Sequence, residues 1–346
     1  MNAPGPASFL DGLDAEARGL LLSVASAVTY VPTAVLVRHG EPARGAFILE
    51  SGSVEAVVTL PGGESLTVAT LGPGSVFGEM ALIELGTCTA TVRAVTPVTG
   101  WFVAHEDFRA LVSQAQPPAL RLQHAVTAAL AAKVAALNVR MLGCAAPEDR
   151  PVRASLSDPL AAVDRSTTPP FEVAAFLPKL PIFERFSGGE IDEVVGLGRW
   201  LQVPRGQGLF TAGSPAGAAF VVVRGAVEVV ATCGAFERRM AVVGPGQLVG
   251  YLAVLRGASH SASAYAREAC VLLEIPARDF HSAYFGASRA SARLRHAVQA
   301  NLLASMARTN RALTRLISLE QLASARRAAS SLEAAFHAQL ATASPL

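Results

Sequence analysis

The residues best equipped for chemistry lie between Gly72 and Ala94, which read GPGSVFGEMALIELGTCTATVRA. A glycine-punctuated turn leads into Phe77-Gly78-Glu79-Met80-Ala81, a short apolar helical turn and a Thr-Ala-Thr-Val-Arg strand. A tight glycine turn opening onto a helix start leaves backbone N–H groups free to hold an anion. Other chemistries lack their parts. The seven histidines (His39, His105, His124, His260, His281, His296, His337) never fall two apart, so a His-x-His metal cluster with a following carboxylate is missing. No nucleophile elbow, phosphate-binding P-loop or paired-acid motif is present, and catalysis is not expected.

Composition narrows the partners. The 346 residues suffice for two domains. With 29 Lys and Arg against 27 Asp and Glu, the formal net charge of +2 lacks the basic excess that phosphate-backbone binding usually needs. Cys88, Cys144, Cys233 and Cys270 are scattered without a CxxC or zinc spacing, so we expect reduced thiols in a cytoplasmic protein. The N-terminus MNAPGPASFLDGLD lacks a basic region followed by an apolar core, and no secretory signal is expected. Gly19 to Val37 carries no charge, but Pro32 and the β-branched run to Val37 make it a helix end followed by a strand, not a membrane span.

The chain contains one design twice. Ala46-Phe47-Ile48-Leu49 and Gly52-Ser53-Val54-Glu55 return as Ala219-Phe220-Val221-Val222 and Gly225-Ala226-Val227-Glu228, with Gly40-Glu41-Pro42 matching Gly213-Ser214-Pro215. Gly72-Pro73-Gly74 pairs with Gly244-Pro245-Gly246, and Phe77-Gly78-Glu79 with Val249-Gly250-Tyr251. The match extends to Leu122-Gln123-His124-Ala125-Val126 against Leu294-Arg295-His296-Ala297-Val298, and to Asn138 against Asn310.

Short alternating or apolar runs separated by Gly, Pro and Ser turns, such as Pro61-Gly62-Gly63, predict a small antiparallel barrel or jelly roll in each copy. A helix precedes each barrel, with Asp14 and Ser187 as N-caps and Glu16 and Glu190 in the first turns. After the first barrel, Val126, Leu130, Val134, Leu137 and Met141 form a narrow apolar seam; Val298, Leu302, Met306, Leu313 and Leu316 repeat it, interrupted by Thr309. Such seams call for a partner helix. Gly143 to Ala174, with five prolines, reads as a linker carrying a short helix near Leu160 to Val163. Ser318 and Gln321 form a capping box opening a final helix to about Leu340, whose Arg326-Arg327-Ala328-Ala329-Ser330 reads as a solvated face. The expected units are 9–142, the linker 143–174, 175–317 and a terminal helix 318–342.

The stretch from Gly72 to Ala94 resembles the phosphate-binding cassette of cyclic nucleotide-binding domains, and Phe9 to Met141 and Phe176 to Ile317 resemble the tandem sensors of the catabolite-activator and protein kinase A regulatory-subunit superfamily. The resemblance implies a mainly β fold with α: two cupin-like jelly-roll domains, each flanked by helices and followed by a long helix. It also implies three devices. Gly78 admits the backbone to the ligand while the amides of Glu79, Met80, Ala81 and Leu82 meet its phosphate; Glu79 accepts the ribose 2′-hydroxyl; an Arg about nine residues later neutralises the phosphate. Here that position is Cys88, followed by Thr89 and Ala90. The lost charged hydrogen bond is worth about 1.5–3 kcal/mol, a tenfold to hundredfold weakening. Arg93 sits at the family's ordinary basic strand position and is expected to face solvent. Asn138 or Arg140 is the helix residue expected to close over a base. In the second copy Gly250 keeps the turn, but Tyr251 replaces the carboxylate, with Leu252 after it, and His260 and Ser261 replace the cation and its hydroxyl neighbour. His260 is charged there only at mildly acid pH, and this second candidate site is expected to be empty or to take something else.

Four readings follow. The first is a cytoplasmic, non-enzymatic signalling protein needing no cofactor, whose ligand is cAMP or cGMP, with cyclic di-GMP less favoured. Its long helices, Leu122 to Met141 and Leu294 to Leu316, would form a homodimer or meet a protein partner the chain does not identify. The second, a DNA-reading regulator, is disfavoured because about 30 residues after Ile317 leave little room for a helix-turn-helix. The third is a metal-dependent enzyme on the cupin scaffold, already disfavoured above. The fourth is a ligand-free scaffold.

Overall fold

In the computed structural model, residues 9–59, 65–114, 116–143, 150–151, 160, 163–170, 172–173 and 175–342 are described, with side chains through Leu319. The hairpin turn Pro61-Gly62-Gly63, Cys144 and much of the linker lie outside the described residues, as do the side chains of Cys233 and of Arg326 to Ser330.

The first unit runs α1 (Ala15–Val24), β1 (Ser26–Tyr30), β2 (Val35–Val37), β3 (Gly45–Ser51), β4 (Val54–Thr59), β5 (Ser65–Leu71), β6 (Val76–Phe77), α2 (Met80–Ile83), β7 (Thr91–Ala94), β8 (Val98–Ala104), α3 (His105–Ser113) and α4 (Pro117–Leu142). The uncharged stretch after Arg18 is thus a helix end followed by two strands. Two antiparallel sheets, β1-β8-β3-β6 and β2-β7-β4-β5, face each other as a jelly roll. Between them lie Phe47, Leu49, Val54, Phe77, Val92 and Val98, each worth about 1.5–3 kcal/mol when withdrawn from water. The cap of α1 is as read: Asp14 Oδ1 accepts from Ala17 N at 2.8 Å.

Two short strands from the linker, β9 (Arg150–Pro151) and β10 (Arg165–Ser166), lead into the second unit. It runs α5 (Gly188–Val195), β11 (Arg199–Val203), β12 (Gly208–Phe210), β13 (Ala218–Arg224), β14 (Val227–Cys233), β15 (Phe236–Val243), β16 (Leu248–Val249), α6 (Tyr251–Arg256), β17 (Ser263–Ala266), β18 (Cys270–Pro276), α7 (Ala277–Phe285) and α8 (Arg289–Thr342). Its sheets, β10-β11-β18-β13-β16 and β12-β17-β14-β15-β9, repeat the first pair strand for strand and add one linker strand at each edge. Ser187 and Glu190 close a reciprocal capping box on α5.

The duplication is visible in backbone conformation. Gly40, Gly52, Gly74 and Gly78 have φ of +82, +81, +81 and +74°, and Gly213, Gly225, Gly246 and Gly250 have +84, +87, +76 and +80°. At Gly78 the need is double: besides the left-handed φ, a β-carbon would stand 2.6 Å from the Gly45 carbonyl oxygen.

Three expectations change. The linker is not a plain spacer: β9 pairs with β15, β10 pairs with β11, and Arg165 grips the buried Glu274 through Nε at 2.7 Å and Nη2 at 3.3 Å. Leu160 and Val163 form a hydrogen-bonded turn against the second barrel, and residues 161–162 lie outside the described ones. The terminal helix does not start at Ser318. Helix α8 runs unbroken for 54 residues, about 80 Å, and the Ser318 hydroxyl donates back to the Thr314 carbonyl at 2.9 Å, so the capping box is not used.

The seams meet each other within one chain. Leu122, Val126 and Leu130 of α4 share a core with Leu303 of α8, while Ala131 and Val134 share another with Val298 and Leu302. Gln299 Nε2 donates to Thr127 Oγ1 at 3.0 Å, and Thr309, the apparent interruption, donates to Asn138 Oδ1 at 3.4 Å. Helix α4 is the one described helix long and apolar enough to cross a membrane; eight of its residues are buried against the barrel and α8. From the second barrel, Arg238 donates to the Met141 carbonyl, placing a cation on the C-terminal end of α4.

Candidate functional site

The cassette of the first copy is held from three sides. Strand β6 pairs with β3, Phe47 opposite Phe77, and their rings stack with centroids 5.0 Å apart while Phe102 tilts against Phe47 at 4.8 Å. Phe77 therefore anchors the cassette inside the barrel. After Gly78 the chain turns into α2. Ala81 N and Leu82 N are taken by the carbonyls of Gly78 and Glu79 at 2.9 and 3.1 Å, so of the four amides read as donors only those of Glu79 and Met80 lack an acceptor among the described residues. His105 braces α2 through a ring nitrogen on the Ala81 carbonyl. Met80 is half-buried and Ala81 buried against the helical core.

Glu79 is only 3% exposed, and its carboxylate meets a cation that the sequence reading missed. Lys133 Nζ of α4 lies 2.7 Å from Glu79 Oε2 and also donates to the Val76 carbonyl at 2.7 Å. The signal was available: Lys133 is the one charge inside the otherwise apolar run from Ala125 to Leu137. The pair places a positive charge at the cassette from which the strand arginine is gone, and fastens α2 and β6 to the helix that carries the interdomain seam.

Cys88 is half-buried, held by Gly40 N to Cys88 O and Cys88 N to Glu41 O, both 2.8 Å. Burial, and then the negative charge of Glu41, push its thiol above the ordinary range, so it carries no useful charge. Thr89 is exposed and Ala90 partly so on the approach to β7. Arg93 faces outward as expected, its Nε 2.5 Å from Glu55 Oε1, and this bond, with help from Thr67, holds the Glu55 carboxyl below its usual pKa. Neither α4 residue proposed to close over a base is free to do so in this state: Asn138 meets Thr309, and Arg140 donates to the Val68 carbonyl.

The second cassette copies the backbone and changes the contents. Gly213 N to His260 O at 2.8 Å and His260 N to Ser214 O at 3.0 Å reproduce the clasp around Cys88. The His260 side chain, however, is buried and stacks on Phe210 with centroids 3.8 Å apart and planes within 10°; Phe210 in turn stacks near Phe220. Burial pulls the His260 imidazole down to about 4, which corrects the reading of it as a cation at mildly acid pH. Tyr251 turns into the core shared with Ala131 and Val134 of α4 and Val254 of α6, and burial raises its phenol. Leu252 is half-buried against the same core, Gly250 keeps the tight turn, and Ser261 is exposed. At the positions of Glu79 and of the family's arginine this copy has Tyr251 and His260, and the stacked rings of His260 and Phe210 take up the place of the strand cation.

The chain matches the family model described as the cyclic nucleotide-binding domain at residues 27–115 and 200–285, from β1 to just past α3 and from β11 to the end of α7. Glutaminase 1 of Bradyrhizobium diazoefficiens is 34% identical over 133 residues, 38% of this chain and 21% of that protein. The Cyclic AMP receptor protein of Thermus thermophilus is 33% identical over 101 residues, 29% of this chain and 47% of that protein. The chain therefore covers less than half the length of these relatives. A solved structure of the Toxoplasma gondii PKA regulatory domain with cAMP is 19% identical, covering 87% of this chain and 92% of that one, with a TM-score of 0.31.

Proposed function

Because the chain belongs to the cyclic nucleotide-binding domain family and carries the domain twice, we propose that its first domain binds a cyclic mononucleotide, cAMP or cGMP, and its second serves as a rigid support. The observation that carries this reading is the set of groups left at the first cassette: two N–H groups, on Glu79 and Met80, without acceptors among the described residues, beside a buried carboxylate paired with Lys133. The amides suit a phosphate and the carboxylate a ribose hydroxyl. A ribose hydroxyl and Lys133 compete for Glu79, so binding loosens α4 from the cassette and changes how it lies on α8. That pair of helices is the route to a partner protein or a second copy. The role is regulatory and non-enzymatic, in the cytoplasm. The Phe210–His260 stack favours the supporting role for the second domain and disfavours cyclic di-GMP there.

Calorimetric and thermal-shift titrations with cAMP, cGMP and cyclic di-GMP test the proposal, with Glu79→Ala as control. Saturable binding of a mononucleotide at one site per chain, lost in Glu79→Ala, supports it. No response to any of the three leaves both domains as scaffold and sinks it.

A further inference from the structure

A second crevice, of about 210 Å³, lies where the two units meet. Ile83, Phe108 and Val112 form an apolar wall on the first domain, Gln123 and Gln299 close the floor, and Arg109 and His296 flank the opening. The glutamine floor is fixed, with Gln123 Nε2 donating to Gln299 Oε1 at 3.5 Å and Gln299 Nε2 to Thr127. Positive charge gathers around this opening. Burial and then Arg185, Arg293 and Arg109 hold the His296 imidazole below its ordinary range, with Glu84 acting the other way. Arg293 also acts on the exposed Glu190 of α5. Among the described residues, Arg109, Arg185 and Arg293 have no ion-pair partner.

Arg109 lines the concavity, and Arg185 and Arg293 stand near enough to act on His296 in its wall, against the single opposing charge of Glu84, so an anion there would meet a net positive field. The volume is that of about seven waters and falls below the roughly 300 Å³ at which nucleotide-sized ligands begin to fit. An apolar wall facing amides and cations suits a flat hydrocarbon body bearing one charge better than a bare, strongly hydrated oxyanion. We propose that the crevice between α3 and α8 is a binding site for a small organic carboxylate of benzoate size. Its occupant would touch the first domain and α8 at once and so hold the two units in this packing, independently of whether the cassette binds a nucleotide.

The experiment is calorimetric titration of the full chain with benzoate, with benzyl alcohol as the uncharged ring and inorganic phosphate as the charge without a ring. The same titrations are run on Arg109→Ala/Arg293→Ala, whose two positions are exposed, and on Arg18→Ala, an exposed arginine that does not line the crevice, as control; circular dichroism verifies folding. The proposal expects saturable benzoate binding at one site per chain, at least tenfold weaker for benzyl alcohol, for phosphate and for the double variant, and unchanged in Arg18→Ala. It is overturned by no saturable benzoate binding, by phosphate or benzyl alcohol binding as well as benzoate, or by equal affinity in the double variant.

Discussion

Replacing Lys133 by Met leaves the Glu79 carboxylate, 3% exposed, without the ammonium that stands 2.7 Å from it. Removing one partner of a fully enclosed pair costs about 3–5 kcal/mol, because the remaining charge is left desolvated and alone. The Lys133 side chain is 31% exposed, so water already shares in the interaction, and we set the loss at roughly 2–3 kcal/mol. For a domain of this size that lowers the midpoint of the first domain's thermal transition by about 4–10 °C. Glu79→Gln alone loses the pair but leaves no buried charge, and should cost less. The double variant should recover much of the Lys133→Met loss, giving a coupling energy on the order of 1–3 kcal/mol in a double-mutant cycle read by urea denaturation. A Lys133→Met cost below about 0.5 kcal/mol, or strictly additive effects, refutes the reasoning that this pair fastens the cassette to α4.

Cys88→Arg restores the cation at its expected strand position and should tighten cAMP or cGMP binding tenfold to hundredfold in calorimetry. Gly78→Ala meets both a left-handed φ and the Gly45 carbonyl, and should destabilise the first domain by about 1–3 kcal/mol in denaturant melts. His260 and His124 are both held down to about 4 by burial. The unfolded chain therefore binds more protons than the folded one between about pH 4 and 6.5, so their contribution is fully present above pH 6.5 and is lost as pH falls through that window. From pH 7 to pH 5 the loss should be at most about 2 kcal/mol for the buried His260 and smaller for the half-buried His124, where water screens the charge, and His260→Phe, which keeps the stack on Phe210, should remove its share of the pH slope in thermal melts.

The duplication and the cassette were legible because glycine carries its own mark. The recurring positions Gly40, Gly52, Gly74 and Gly78, with their counterparts in the second copy, all turn out to have positive φ, a conformation few other residues hold cheaply. Asp14 and Ser187 were readable as caps for a similarly local reason. What the sequence hid is nonlocal. The seam spacing announced that α4 and α8 needed partners, yet nothing local says that each is the other's partner in the same chain. Lys133 sits 54 positions from Glu79, and only the angle of α4 across the barrel brings them together. His260 read as a cation because its type was visible while its burial against Phe210 was not. Ser318 and Gln321 had the composition of a helix start, but the helical face continuing past Leu313 overrode it, and the hydroxyl turned inward to Thr314.

On our proposal, the first cassette is a nucleotide site whose carboxylate Lys133 holds until ligand arrives. A crystal structure of the chain grown with saturating cAMP tests it most directly. We expect phosphate density on the N–H groups of Glu79 and Met80, a ribose hydroxyl on Glu79, Lys133 withdrawn from the carboxylate, and no nucleotide at His260. Density confined to another surface, or an empty first barrel with the Glu79–Lys133 contact intact, would contradict it.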